Sequence, residues 1–352
     1  IYATNLTPDK KTGIGNWSDE AFLKAVREGV GSNGHLYPAM PYTSYAAMSR
    51  DDVLAIKEYL LTLEPVEHTQ VDATLSFPFN QRWGMAAWNL VFFRERRFVA
   101  PESGGAVINR GAYLANALGH CAECHTPRNI GFALKSKDYL SGAEIEGWKA
   151  YNTTPNQAYG IGAWTDEQLT SYLSTGHAPG RSSAAGPMAE VIEHSLQYLT
   201  RSDIKALAAY MRQVTPLGGE NTETVNLEPT GAAASNAVLP GSLQRTENLR
   251  GKQLFAADCV GCHQWNGAGR QTQYASLVGS RSVNDPSGAA LIQVILKGAS
   301  IRVGSQTELM PAFGSAYSDA DVAALANYVI GHFADKRGEV TAEQVSSRRS
   351  AK

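Results

Sequence analysis

The chain has 352 residues, 43% hydrophobic and 18% charged, with a formal net charge of −2 at pH 7. That composition supplies two or three domains with apolar residues for a core each, and the near-neutral charge argues against a nucleic-acid partner. No apolar run reaches the length of about 18 residues that reads as a membrane-spanning helix, and the opening "IYATNLTPDK" has neither the basic start nor the apolar stretch of a secretory signal.

In chain order, residues 1–68 read as the rear part of a first module. The glycines Gly13 and Gly15 precede a helix but follow no strand signal, so they read as turn glycines, not a phosphate loop. "LYPAMPY" then sets Met40 between two prolines. Residues 69–106 form a connector containing "FPFNQRWGMAAWNLVFFRERRF". Its Trp83, Trp88, Phe92 and Phe93, followed by Arg94, Arg96 and Arg97, suit either a lipid interface or a packing surface between modules or subunits. Residues 107–216 form a second module: an opening helix "RGAYLANAL", then "HCAECHTPRN", then "AAGPMAEV" with Met188. Residues 217–246 are rich in Gly, Ser, Thr and Asn, lack periodicity, and read as a linker. Residues 247–335 repeat the order of the second module, with "RGKQLFAAD", "DCVGCHQWNG" and "TELMPAF", which contains Met310. The polar tail 336–352 either docks on a neighbour or stays mobile.

Each module closes on the same pattern. "SRDDVLAIKEYL", "TRSDIKALAAYM" and "SDADVAALANYV" place Ser49, Thr200 or Ser318 three residues before Asp52, Asp203 or Asp321. A hydroxyl cap with an acid at the third position, followed by apolar residues at helical spacing, predicts a helix start in each. A longer repeat links the first two modules. "NLTPDKKTGIGNWSDEAFLKAVREGV" matches "NTTPNQAYGIGAWTDEQLTSYLSTGH" without a gap at a displacement of 147 residues, the mark of a duplicated module. That displacement carries Met40 to Pro187, one residue short of Met188, so the two methionines correspond.

All four cysteines fall in two C-x-x-C-H motifs: Cys121, Cys124 and His125, and Cys259, Cys262 and His263. A zinc site needs four ligands around one ion, and a thioredoxin-like pair sits near a βαβ pattern, which neither motif does. Covalent haem c attachment explains both motifs: the thiols join the porphyrin and the histidine binds iron. Methionine as sixth ligand raises the potential and closes the iron to substrates. The Pro-adjacent Met188 and Met310, downstream of His125 and His263, are the candidates. Met85 and Met211 lie in helical patterns and read as packing, and Met48 lacks the prolines. Met40 then belongs with a haem whose motif is expected about 26 residues before Ile1. Pro127 could offer its carbonyl to His125 Nδ1 and Arg128 could pair with a haem propionate; a turn proline and a surface arginine are the alternatives.

The motif order, with "LYPAMPYTSYA", "HCAECHTPRN", "AAGPMAEVIEHSLQYL" and "LIQVILKG…IRVGSQTELMPAF", resembles the tri-haem cytochrome c subunits of bacterial membrane-bound dehydrogenases. The resemblance implies an all-α fold of tandem class I cytochrome c-like domains with long connectors. It implies two covalent haems c here and a third in the parent protein. It also implies a catalytic partner subunit with FAD, oxidising a sugar, polyol or sugar acid, with a possible small chaperone-like subunit. Electrons would pass to ubiquinone from a peripheral position on the periplasmic face of the bacterial inner membrane. Cytochrome subunits of quinoprotein alcohol and molybdenum aldehyde dehydrogenases share the pattern. No residue looks like a hydride-transfer or proton-abstraction site, so substrate chemistry belongs to the partner. A di-haem peroxidase is the contrasting class, but it needs an exchangeable sixth site, which three methionine loops oppose.

Overall fold

The computed structural model describes residues 1–71, 74–218 and 248–350. The linker expected at 217–246 therefore lies, past Gly218, outside the described residues. The chain divides into two compact units: 1–123 with 128–137, and 124–127 with 138–352.

In the first unit, a glycine loop leads into α1 (Asp19–Glu28). Ser18 Oγ caps it by accepting from Ala21 N at 3.2 Å, and Gly29 ends it at φ 65°. Only glycine suits that ending: a Cβ there would lie 2.6 Å from the Tyr42 ring. A minimal hairpin, β1 (Val30–Gly31) and β2 (Gly34–His35), turns the chain toward α2 (Tyr42–Tyr45) and α3 (Arg50–Leu61). Ile14, Phe22, Leu23, Met48, Val53 and Ala117 make the core. The connector folds as α4 (Gly84–Phe92), which buries no residue fully. α5 (Gly105–Tyr113) then runs into a single π turn, Leu114–Leu118, closed by Gly119 N on Leu114 O at 2.7 Å. α6 (Ala122–His125) holds Cys124 and His125 of the first C-x-x-C-H, and the division between units falls inside it.

The second unit falls into two parts. One has the hairpin β3 (Ala143–Ile145) and β4 (Trp148–Ala150), then α7 (Asp166–Thr175), the hairpin β5 (His177–Ala178) and β6 (Ser182–Ser183), α8 (Pro187–His194) and α9 (Arg201–Gln213). The other has α10 (Leu249–Leu254), a π turn at Phe255–Cys259, α11 (Val260–His263) and α12 (Ala289–Lys297). There follow the hairpin β7 (Ala299–Val303) and β8 (Gln306–Met310), and α13 (Asp319–Ala334). Its core gathers Phe255, Ile292, Val322, Leu325 and Ile330. The polar tail forms α14 (Ala342–Ser350), with Val345 in this core and Arg349 Nε 2.8 Å from Asp319 Oδ1. The capped helix starts lie where the hydroxyls predicted. Ser49, Thr200 and Ser318 each accept from the amide three residues on, at 3.1 Å.

Helices dominate, as expected of cytochrome c domains, but the chain is not purely helical. The described residues contain four two-stranded antiparallel hairpins. They tighten the returns of loops and build no common sheet. No helix among the described residues is long and apolar enough to cross a membrane.

Candidate haem sites

The third module brings its candidates together. Cys259 ends the π turn and Cys262 and His263 lie on α11, all lining one cavity; Met310 and Pro311, at the end of β8, line it too. Phe255, Leu291, Ile295 and Val329 supply apolar wall. His263 Nδ1 lies 2.6 Å from Ala275 O. A carbonyl only accepts, so Nδ1 carries the proton and Nε2 keeps its lone pair, the tautomer a metal needs. Burial lowers the His263 pKa, against the opposing pull of that hydrogen bond, and favours the neutral ring. Burial first, then Asp258 and Cys262, push the Cys259 thiol up to about 11. Two thiols, a neutral imidazole and a thioether around an apolar cleft fit haem c.

The second module repeats the histidine geometry with a different acceptor. His125 Nδ1 lies 2.7 Å from Tyr151 O. Burial again lowers the imidazole pKa, opposed by that bond. Cys121 N, in the first unit, donates to Ala115 O at 3.0 Å, pinning the motif to the π turn. Met188 stands second in α8, after Pro187, half-buried against the core of Ala184, Ala189, Ile192 and Ile301. Unlike Met310, it does not line the third module's cavity. Met40 occupies a tight turn in the first unit, with its N donating to Tyr37 O at 3.1 Å and its O accepting from Tyr42 N at 2.7 Å. Met48 and Met211 are core residues.

Two expectations are corrected. The acceptor for His125 is the Tyr151 carbonyl, delivered by the β3–β4 hairpin, and not that of Pro127. Arg128 pairs with Glu123 at 2.6 Å and donates to Phe132 O at 2.8 Å, so its fork is already engaged by protein. Glu123, between the two cysteines of its motif, was missed by sequence reasoning. Its buried carboxylate also accepts from Thr43 Oγ1 at 3.1 Å and Ser44 Oγ at 2.9 Å, just after the Met40 turn. Among the described residues, no three His, Cys, Asp or Glu side chains gather as a zinc site requires.

Residues 108–215 match the family described as Cytochrome c, and residues 246–329 that described as Cytochrome C oxidase, cbb3-type, subunit III. The chain is 39% identical to the fructose dehydrogenase cytochrome subunit of Gluconobacter japonicus, over 99% of this chain and 75% of that protein. It is 36% identical to the gluconate 2-dehydrogenase cytochrome c subunit of Pantoea cypripedii, over 99% and 81% respectively. It is 30% identical to the cytochrome c subunit of the quinone alcohol dehydrogenase of Gluconacetobacter polyoxogenes, over 99% and 76%.

Proposed function

Because the chain belongs to the cytochrome c subunits of membrane-bound dehydrogenases, electron carriers within dehydrogenase complexes, we propose a specific course for its electrons. They come from a catalytic partner that oxidises a sugar, polyol or sugar acid at FAD, and they leave to membrane ubiquinone. The observation that carries this reading is the cavity in which Cys259, Cys262, His263 and Met310 converge. Haem c, when bound, supplies a one-electron couple, and His/Met ligation closes its iron to substrate. The protein's own residues do the rest. The cysteines fix the porphyrin edge, the Ala275 and Tyr151 carbonyls hold the imidazoles in one tautomer, and Leu291, Ile295 and Val329 keep water out.

The residues that would hold the irons are His125 with Met188 and His263 with Met310, and Cys121/Cys124 and Cys259/Cys262 would attach the two haems. Met40 holds the matching place in the first repeat and serves a third haem whose attachment motif lies outside this sequence. The domain boundaries follow the same logic: a first cytochrome c domain ending near residue 68, a second over 107–216 and a third over 247–335. The subunit sits peripherally on the periplasmic face, where a small chaperone-like subunit can accompany the dehydrogenase. α4 supports a surface role: Trp83 is 74% exposed and Leu90 81%, with Arg94, Arg96 and Arg97 following. Apolar and aromatic side chains beside arginines suit a lipid headgroup boundary.

Similarity to the quinone alcohol dehydrogenase subunit supports a second reading, with a quinoprotein as electron donor. One experiment tests both. The haem-loaded chain is mixed with its native partner and offered fructose, gluconate, sorbitol, glucose or ethanol. Haem reduction by a sugar or sugar acid is the expected result, and reduction by ethanol alone favours the second reading. Substrate oxidation by the chain unaided, or rapid peroxide turnover, would overturn both. Replacing Trp83, Trp88 and Phe92 by Ser is expected to release the complex from liposomes with haem content intact. Splitting the subunits while membrane binding persists would make α4 a subunit interface.

A further inference from the structure

Tyr151 has two attachments. Its carbonyl takes the Nδ1 hydrogen bond of His125, while its side chain meets Arg281 and Asp285 of the third module and Lys149 of its own. The hydroxyl donates to Asp285 Oδ2 at 3.3 Å. The Arg281 guanidinium carbon stands 5.2 Å from the ring centroid. Lys149 Nζ lies 5.5 Å from the same ring and 2.8 Å from Asp285 Oδ2. Each member is anchored in turn. Asp285 Oδ1 accepts from Ser287 Oγ at 2.7 Å and Ser287 N at 3.1 Å. Arg281 donates through its backbone N to Arg181 O at 2.9 Å and through its guanidinium to Tyr159 O. The group thus holds two cations and one anion. Asp285 is only 9% exposed, so water screens these charges weakly.

We propose that Arg281 and Asp285, contributed by the third module, set the reduction potential of the second module's haem. They act by their charge, held in a cluster that Tyr151 ties to His125. The inference rests on His125 being a haem ligand. A ferrous haem carries one positive charge less than a ferric one, so a nearby cation stabilises the reduced form and a nearby anion the oxidised form. Removing the charge of Asp285 therefore raises the potential, and removing that of Arg281 lowers it. Removing both leaves Lys149 alone, with the original net charge, and returns the potential toward its starting value. A purely structural role predicts otherwise: loosening Tyr151 weakens the same His125 hydrogen bond whichever residue is lost, so all shifts share one direction.

Redox titration of the full haem-loaded chain, followed in the visible spectrum, reads the outcome, with the couple of the third module's haem marked by its displacement in Met310→Ala. Asp285→Asn is expected to raise the second couple and Arg281→Gln to lower it. Each changes the ferrous-to-ferric ratio at fixed poise about tenfold, which is ~59 mV for a one-electron couple. The double variant returns near the original value, and Arg281→Lys stays close to it. Shifts of one sign in the second couple, or no shift there, overturn the proposal. Should Asp285→Asn fail to accumulate, Arg281→Gln against Arg281→Lys still decides: a fall in the first that the second does not share supports it, and equal values sink it. A mass one haem short would instead remove the ligand reading on which the inference stands.

Discussion

Two stretches of the chain, displaced by 147 residues, fold the same loop from different side chains. Gly13 N donates to Asp9 O at 3.1 Å, as Gly160 N does to Asn156 O. Ile14 N reaches Thr7 O at 2.9 Å, and Ile161 N reaches Thr154 O at 2.8 Å. Asn5 and Asn152 each fold their side-chain oxygen onto a threonine amide two residues on. After the helix, Leu36 N and Ala184 N each close on a glycine carbonyl at 2.7 Å, and there the displacement has become 148, as it is for Met40 and Met188. The repeats part at one cation. Lys57 Nζ reaches Trp17 O at 2.8 Å and Asp19 Oδ1 at 2.7 Å. Arg212, from the last helix of the other copy, reaches Trp164 O at 2.5 Å, Ile161 O at 2.7 Å and Asp166 Oδ1 at 3.1 Å. The loop thus demands its glycines and backbone bonds, and accepts either cation that can reach its carbonyls.

The glycines are the severest way to break that equivalence. A Cβ on Gly13 would stand 2.2 Å from Thr7 O, and one on Gly160 1.9 Å from Thr154 O. Backbone cannot yield as a side chain can, so each Gly→Ala change is expected to cost about 3 kcal/mol or more in thermal or denaturant unfolding. Tolerance in one copy alone would end the claim that the loops are equivalent. The methionines come next. Met188→Ala is expected to open one iron to carbon monoxide, read as a shifted Soret band, whereas Met40→Ala leaves both attached haems as they were. If neither change alters a spectrum, the ligand assignment fails.

The cation sharpens the comparison more gently. Arg212→Met removes three hydrogen bonds and Lys57→Met two, so the melting temperature should fall further in the arginine variant, by about 2–4 °C per lost kcal/mol. Acid adds a sign. The Lys57 hydrogen bond and charge hold the Asp19 carboxyl below its ordinary value of 3.8. That contribution is complete above about pH 4 and is lost as pH falls through the lowered value, so Lys57→Met should remove this part of the acid sensitivity. The caps give the smallest effect. Thr165 heads a full capping box with Gln168, whereas Ser18 makes a single bond. Thr165→Ala should cost about 1 kcal/mol and Ser18→Ala less.

What could be read in the sequence had fixed spacing: the C-x-x-C-H motifs, the Pro-adjacent methionines, the capped helices and the repeat. The acceptors of the two imidazoles had none. Tyr151 lies 26 residues after His125 and Ala275 12 after His263. Each works through a carbonyl, which every residue carries, so nothing in the side chain announces it. Pro127 was attractive because it is adjacent, but position is decided by the β3–β4 hairpin. The Arg128 partner was hidden for a related reason. Glu123 is held by Thr43, 80 residues earlier, a contact that no local pattern records. Hairpins with strands of two or three residues are too short for alternation to show.

The single π turns carry a consequence for length change. Each holds one residue more than an α-helix needs, the first ending three residues before Cys121 and the second on Cys259. Deleting one residue from Leu114–Leu118 or Phe255–Cys259 would not break the helix; it would restore a regular one. Everything upstream would turn by about 100° relative to the cysteines. In one copy this swings Tyr113 away from the Ser49 amide, which it meets at 3.0 Å. In the other it carries Gly251 off the Ala324 carbonyl, where a Cβ would stand only 2.2 Å away, and brings a side chain into that gap. A one-residue loss here is therefore harsher than most substitutions, although it would leave a more ideal helix.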